Sequence, residues 1–474
     1  MDLLDSATGL AEAIARREIS PLEALDACLE QIDRANPALN AVIWRDDDQA
    51  RADARHLGDL MARGSEELGP FAGVPLPIKD LTHVAGQPAT YGSRGASDEP
   101  RAEDDLVVAA LRRAGFVLCG RTNTPELGPI PVAENLRYGI TRNPWDLDRT
   151  PGGSSGGAAA AVAAGMFPVA HANDGGGSIR IPASCCGLVG LKPSRGRVRR
   201  TVAGWFGAVV EGVVSHSVLD TAAVLDTIAE PDPLAWVTAP AADRPFAQEV
   251  GADTGRLRIA LMTDAPLGLA TAEAPRRAVA AAGQLLTDLG HQVEPATFDL
   301  FPPETLVPFL SIVNAGLAEY DIDFAKAEPH IAADHRAAQA VDSLEVVRAF
   351  GVLQQMARRL GGRWGRDFDV LVTPTMSIEP PPAGTVLEAA HANPDGPAPD
   401  VVAMTIFTAP FNVSGQPAIS LPLHWSDAGL PVGVQLVAGP WQDGLLVRLA
   451  AQLETAAPWS SRRPPWRGPG RPAG

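Results

Sequence analysis

Apolar residues recur along this chain with two different periods, and the change of period divides it. Leu22, Leu25, Leu29 and Ile32 fall on one face at helical spacing. They follow Ser20-Pro21-Leu22-Glu23, a capping box with proline at the first helical position, so a docked amphipathic helix starts there. A second peripheral helix is expected over 46–63. From Val74 onward short apolar runs alternate with alanine-rich stretches: helices over 106–114 and 157–165, strands over 116–119 and 167–170. That alternation predicts an α/β fold built on a mixed sheet. Residues 258–262, 274–289 and 291–294 read as a further β-α-β-like unit, and helical patterns fill about 303–364. A buried strand returns at 369–373. Residues 418–423 and 431–437, joined through Ser426-Asp427-Ala428-Gly429, read as a hairpin on the sheet.

This pattern divides the chain into peripheral helices over 1–65, a main domain over 66–460 and a tail over 461–474. A variable insert covers about 229–365; its first part, 229–255, is rich in Pro, Ala and Asp and reads as a surface connection. Four arginines and several prolines after Ser460 predict disorder. No internal repeat is visible. Among 474 residues, 46% are hydrophobic and 20% charged, which fits a globular chain with a sizeable core. A net charge of −17 argues against nucleic acid as a partner, because phosphate binding needs a basic footprint. No apolar run reaches the roughly 18 residues of a spanning helix, so no membrane partner is expected. The four cysteines, Cys28, Cys119, Cys185 and Cys186, lack metal-ligand spacing. Met1-Asp2-Leu3-Leu4-Asp5 has neither the basic nor the apolar region of a leader, and cytoplasm is the expected compartment.

Chemistry concentrates in two glycine-rich serine loops and one lysine. Pro151-Gly152-Gly153-Ser154-Ser155-Gly156-Gly157 is followed by Asn173-Asp174-Gly175-Gly176-Gly177-Ser178-Ile179-Arg180, and Lys79 closes Pro75-Leu76-Pro77-Ile78-Lys79-Asp80. A bare Gly/Ser run is more often a linker, but an alanine-rich helix follows the first loop directly. A lone lysine is ordinarily solvated; the apolar run before Lys79 predicts a buried strand end, where the neutral amine is favoured. Two hydroxyls and a lysine base make a plausible acyl-transfer site without metal or cofactor, and the amides of Gly175, Gly176, Gly177 and Ser178 could cradle an oxyanion. The first loop also fits the nucleophile elbow twice, with Ser154 or Ser155 central. That motif requires a preceding strand, and residues 143–150 are polar and turn-like. Neither loop ends as a phosphate-binding loop does. His171 reads as a packed strand residue, Asp174 and Arg180 as a local brace, and Cys185 and Cys186 as buried thiols. Trp145, Trp205 and Phe206 fit a pocket or the core equally well.

These segments resemble the amidase signature family. The resemblance includes Gly73-Val74-Pro75 leading to Lys79-Asp80, then Gly120-Arg121-Thr122-Asn123-Thr124-Pro125-Glu126 and Arg142-Asn143-Pro144-Trp145. It continues through both serine loops, Cys186-Gly187-Leu188-Val189-Gly190-Leu191-Lys192-Pro193, and Pro410 to Pro422. It spans about 5–230 and 365–460 and leaves the stretch between them poorly matched. It implies a large mixed sheet with helices on both faces, and a catalytic triad of Lys79, Ser154 and Ser178 with a cis peptide before Ser154. It implies further that Gly128, Ser154 and Trp205 meet substrate and that Ser155, Asp174 and Arg180 support the loops. The implied substrate is a small, linear or cyclic amide, with anilides and carbamates in reach, and the enzyme a monomer or homodimer. A glutamine-hydrolysing component of a tRNA-dependent amidotransferase is the alternative, and a glycine-loop binding module without chemistry a third. One departure stands out: the usual Thr-Asp-Thr-Gly-Gly-Ser reads Asn173-Asp174-Gly175-Gly176-Gly177-Ser178. The change predicts a less rigid loop.

Overall fold

The computed structural model describes residues 3–65, 68–396 and 398–466. Its helix Pro21–Leu39 carries the expected capping box: Ser20 Oγ accepts from the Glu23 amide and the Glu23 carboxylate accepts from the Ser20 amide. Leu25, Leu29 and Ile32 join the largest core cluster, so this helix is locked to the body by its apolar stripe. The next helix, Asp47–Ala62, starts on an Asp46 cap. Between the two lies β1 (Val42–Trp44), too short for a legible alternation. It pairs antiparallel with β3 (Val117–Thr122), which pairs parallel with β2 (Pro75–Lys79). β4 (Glu134–Asn135) and β5 (Gly139–Ile140) form a small hairpin.

Eight strands make the main sheet. In chain order they are β6 (Val169–Asp174), β7 (Val189–Lys192), β8 (Val210–Ser215), β9 (Arg258–Leu261), β10 (Gln292–Pro295), β11 (Val370–Pro374), β12 (Ala418–Trp425) and β13 (Pro431–Ala438). Their spatial order is β10-β9-β11-β13-β12-β7-β8-β6. β9 runs parallel to β10 and β11 while the remaining pairs are antiparallel, which is the mixed sheet expected. Strand periodicity sends neighbours to opposite faces: Val213 joins the cluster that includes helices Val218–Ile228 and Asp443–Ala456, whereas Val214 joins the one that includes Gly156–Ala163 and Arg180–Cys186. Helices therefore cover both faces.

Residues 258–295 fall inside the expected insert yet supply two strands of the main sheet. The helices Leu306–Ala315, Pro329–Ala340 and Ser343–Gly361 follow them. Of the tail expected to be disordered, residues 461–466 lie against the body: Arg462 sits 4.2 Å above the Trp425 ring, and Arg463 pairs with Asp5 at 3.0 Å. Residues 467–474 lie outside the described residues. Among the described residues no helix is long and apolar enough to cross a membrane.

Candidate active site

β2 is buried throughout and ends on Lys79, whose side chain is fully enclosed. Its Nζ donates to Ser154 Oγ at 2.7 Å, to Asn173 Oδ1 at 2.7 Å and, more weakly, to the Asn173 carbonyl at 3.5 Å. Burial drives the Lys79 pKa well below the ordinary lysine value; Asp174 partly offsets this, and Arg200 adds to the depression. A neutral amine has two N–H groups and one lone pair. The contact with Ser154 is a donation from nitrogen while the amine is charged; once Lys79 is neutral, with its N–H groups on Asn173, the same contact runs from the Ser154 hydroxyl to the lone pair.

Ser154 follows a cis peptide bond from Gly153. A side chain at 153 would collide with the Val132 backbone, so glycine is required there by close approach. No strand runs into this serine, and the nucleophile-elbow reading is thereby excluded. Ser155 ties the two loops together: its Oγ donates to the Asn173 carbonyl at 3.1 Å and its amide to the Ser178 carbonyl at 3.3 Å.

Ser178 stands in the turn between β6 and helix Arg180–Cys186. Asp174, the last residue of β6, organises that turn. Its carboxylate accepts the Gly177 amide at 2.8 Å, the Ile179 amide at 3.1 Å and the Asn412 side-chain amide at 2.8 Å. Arg180 closes on it through Nη2 at 2.9 Å and Nε at 3.0 Å, both side chains fully buried. Burial by itself would raise the Asp174 pKa, but the Arg180 guanidinium holds it well below the usual carboxylate range. The remaining Arg180 donor reaches Gln435 Oε1 at 2.7 Å and the Thr408 carbonyl at 3.0 Å.

This arrangement corrects one expectation. The Gly177 N–H is committed to Asp174 and is not aimed at an incoming oxygen; Gly177 is needed for its φ of 137° and because a Cβ would strike Thr408. Gly175, Gly176 and Ser178 carry the amides that have no acceptor among the described residues. Asn173, one of the residues that depart from the usual motif, also has a role the sequence reading did not assign. Its amide holds Lys79, a role no rigidity argument would suggest.

Ser154 and Ser178 line one small polar cavity of about 40 Å³ with Gly128, Asn173, Arg200, Trp205, Glu319 and Tyr320, and no hydrogen bond joins the two hydroxyls. Ser178 also borders a second cavity of about 110 Å³, lined mainly by apolar side chains that include Ile130, Ile181, Phe301, Leu306, Phe309, Val313 and Ile406. Gly128 and Trp205 line both, so the residues expected to meet substrate share one site. Gly128 has φ 86°, and a Cβ there would stand 3.5 Å from Ser154 Oγ. Trp145 lies elsewhere, donating to the Cys186 carbonyl at 2.8 Å, and Phe206 is exposed.

His171 is a buried β6 residue whose Nε2 meets Glu211 at 3.0 Å; burial, then Lys79, pushes it down to about 3. It stays neutral. Burial raises the thiols of Cys185 and Cys186, so neither offers a thiolate. Thr408 and Gln435 carry no local signal in the sequence, and Asn412, though inside the family-like segment from Pro410 to Pro422, shows no role there, because these roles come from contacts across the fold. One compositional signal was available for Lys79: the chain has 36 arginines and only three lysines, of which Lys79 and Lys192 are fully buried.

The family described as Amidase matches residues 23–447. The 6-aminohexanoate-cyclic-dimer hydrolase of Paenarthrobacter ureafaciens is 38% identical over 508 aligned positions, covering 99% of this chain and 98% of that protein. A solved structure of 6-aminohexanoate cyclic dimer hydrolase complexed with substrate superposes with a TM-score of 0.92 at 36% identity, over 99% of this chain and 100% of the other. A glutamyl-tRNA(Gln) amidotransferase component from Thermotoga maritima is similar at 27% identity and a TM-score of 0.74, over 94% of this chain and 96% of that one.

Proposed function

The chain belongs to the amidase family, and from that premise we propose that it is a stand-alone serine amidohydrolase acting through Lys79, Ser154 and Ser178 on amides with an apolar acyl group. The observation that carries the reading is Lys79: a fully buried amine with a depressed pKa lies 2.7 Å from the hydroxyl of Ser154, and Ser154 lines one cavity together with Ser178. A base must be within hydrogen-bond reach of its proton, which Lys79 is, and burial favours the uncharged amine that the role requires.

The steps follow from this order. Lys79 takes the Ser154 proton as Ser154 takes that of Ser178, and Ser178 Oγ attacks the amide carbon. The Ser154–Ser178 hydrogen bond forms when Ser178 turns about its side-chain torsion, since catalytic hydrogen bonds in ligand-free sites are often long. The amides of Gly175, Gly176 and Ser178 receive the oxyanion, and each such donor is worth about 3 kcal/mol of barrier. Ser154 returns a proton to the departing amine, and Lys79 reprotonates Ser154. Water then enters by the same relay, releasing the acid and restoring Ser178.

Ser154 must face the leaving amine, and it lines only the small polar cavity. The larger apolar cavity on the other side of Ser178 is thus assigned to the acyl chain. Aliphatic ω-amino acid amides, such as those named for the relatives, suit that wall, and anilides and carbamates share the geometry at the carbonyl. A glutamine-hydrolysing component of an amidotransferase would have to seat charged α-substituents. The charged side chains here, Arg200 and Glu319, lie in the smaller arm, and Arg200 is already paired with Glu211.

The test is turnover of a panel of aliphatic amides, esters and carbamates by the purified chain alone, without ATP. Release of acid from a medium-chain amide, with a fluorophosphonate adduct on Ser178, is expected. Hydrolysis confined to glutamine and dependent on a partner chain would replace this reading with the amidotransferase one.

A further inference from the structure

Outside the serine site the fold brings together a second group of reactive side chains. Glu328 caps the start of helix Pro329–Ala340, His330 lies in its first turn, and His391 lies in the last turn of helix Thr385–Ala392. The two histidines are 61 positions apart in sequence, so no spacing motif announces them. Glu328 Oε2 accepts from His391 Nε2 at 2.9 Å and lies 3.8 Å from His330 Nδ1. One ligand atom from each of the three residues falls within 4.8 Å of the others. His330 is 5% exposed, and neither of its ring nitrogens has a hydrogen-bond partner. Buried polar groups in native proteins are nearly always satisfied, so an imidazole with both nitrogens orphaned requires an explanation.

We propose that Glu328, His330 and His391 form a divalent metal site, of the kind that takes Zn²⁺, in which the ion pins helix Pro329–Ala340 to helix Thr385–Ala392. Two imidazoles and one carboxylate are a donor set zinc accepts, with water filling the fourth position. Ligands about 2.0–2.1 Å from a tetrahedral ion stand roughly 3.3 Å apart, and the separations at Glu328 Oε2 bracket that distance. The carboxylate is oriented for such a role. Its other oxygen accepts the Leu136 amide at 2.6 Å, and the Glu328 amide donates to Glu126 Oε2 at 2.6 Å. Oriented ligands of this sort are the usual outer support of a metal centre. Glu126 and Leu136 border the loop that carries Gly128, so the ion would fasten the variable helices to one wall of the substrate cavity. Its role is structural, because none of its ligands lines either cavity.

The test uses the full chain, stripped with chelator and titrated with Zn²⁺ by calorimetry and with Co²⁺ by visible absorption. One equivalent should bind at micromolar concentration or tighter, with Co²⁺ bands of a four-coordinate N/O site and a rise in Tm. His391→Gln and Glu328→Gln should each weaken binding at least tenfold and abolish the Tm rise, while His56→Ala, at an exposed histidine, leaves both unchanged. Circular dichroism identifies a variant that has failed to fold, and the other then decides. Absence of stoichiometric binding, or equal binding in wild type and both folded variants, would overturn the site and leave Glu328 and His391 as a hydrogen-bonded pair without metal.

Discussion

At Lys79 the charge state decides the chemistry, and its neighbours decide the charge state. Burial disfavours the ammonium, Arg200 adds to that, and Asp174 opposes it. kcat/KM for an amide should therefore rise with pH through the depressed Lys79 pKa and then level off. Asn173→Asp, which places a carboxylate 2.7 Å from Nζ, should move that acidic limb to higher pH and lower the neutral-pH rate; an unmoved limb would remove Lys79 as the base. Stability is linked to the same group. The unfolded chain holds the lysine proton up to its ordinary pKa while the folded chain has released it, so unfolding takes up a proton between the two values and stability rises with pH across that window. Lys79→Met should flatten this slope, read as urea midpoints at pH 7 and 9. Lys192, pushed down to about 7 chiefly by burial, adds a slope of the same sign that the variant retains. Ser178→Ala should lose turnover by at least about a thousandfold with an unchanged melting curve, since it removes the nucleophile and no packing.

At the scale of elements, the turn between β6 and helix Arg180–Cys186 is shaped by one buried ion pair. Asp174→Asn would strand the Arg180 guanidinium in the interior, which costs roughly 3–5 kcal/mol, and would replace one carboxylate oxygen of the turn with an N–H donor. A fall of that size in unfolding free energy, with a loss of kcat larger than any rise in KM, is expected from urea titration and steady-state kinetics. An effect on KM alone would mean that the turn binds substrate and does not shape the oxyanion amides. The brace itself was legible, because Asp174 and Arg180 flank the serine in sequence. Its outer partners were not: Asn412 is 232 positions from Arg180 and reaches it only because the fold brings the two segments together. The strand β1 is illegible for a different reason. Three residues are too few for an alternation to show, and its place is set by pairing with β3.

For the molecule as a whole, helix Leu306–Ala315 joins the variable helical region to the serine site, contributing Leu306, Phe309, Leu310 and Val313 to the apolar cavity. Phe309→Ala should widen it and shift the preferred acyl chain toward longer or branched groups, seen as a changed ratio of kcat/KM across a chain-length series. An unchanged ratio would place the acyl group elsewhere. The sequence by itself determined the α/β class, the capped helix Pro21–Leu39, the hairpin of β12 and β13, and the three polar residues to which the chemistry is assigned. Those features follow from local periodicity, capping and glycine placement, each written within a few neighbouring residues. Only the tertiary structure decided that Asn173 holds the lysine, that the Gly177 amide is spoken for, that His330 is buried beside Glu328 and His391, and that an apolar slot opens beside Ser178. Each of these depends on distance between segments far apart in the chain, which strand register and helix packing set and no local pattern encodes.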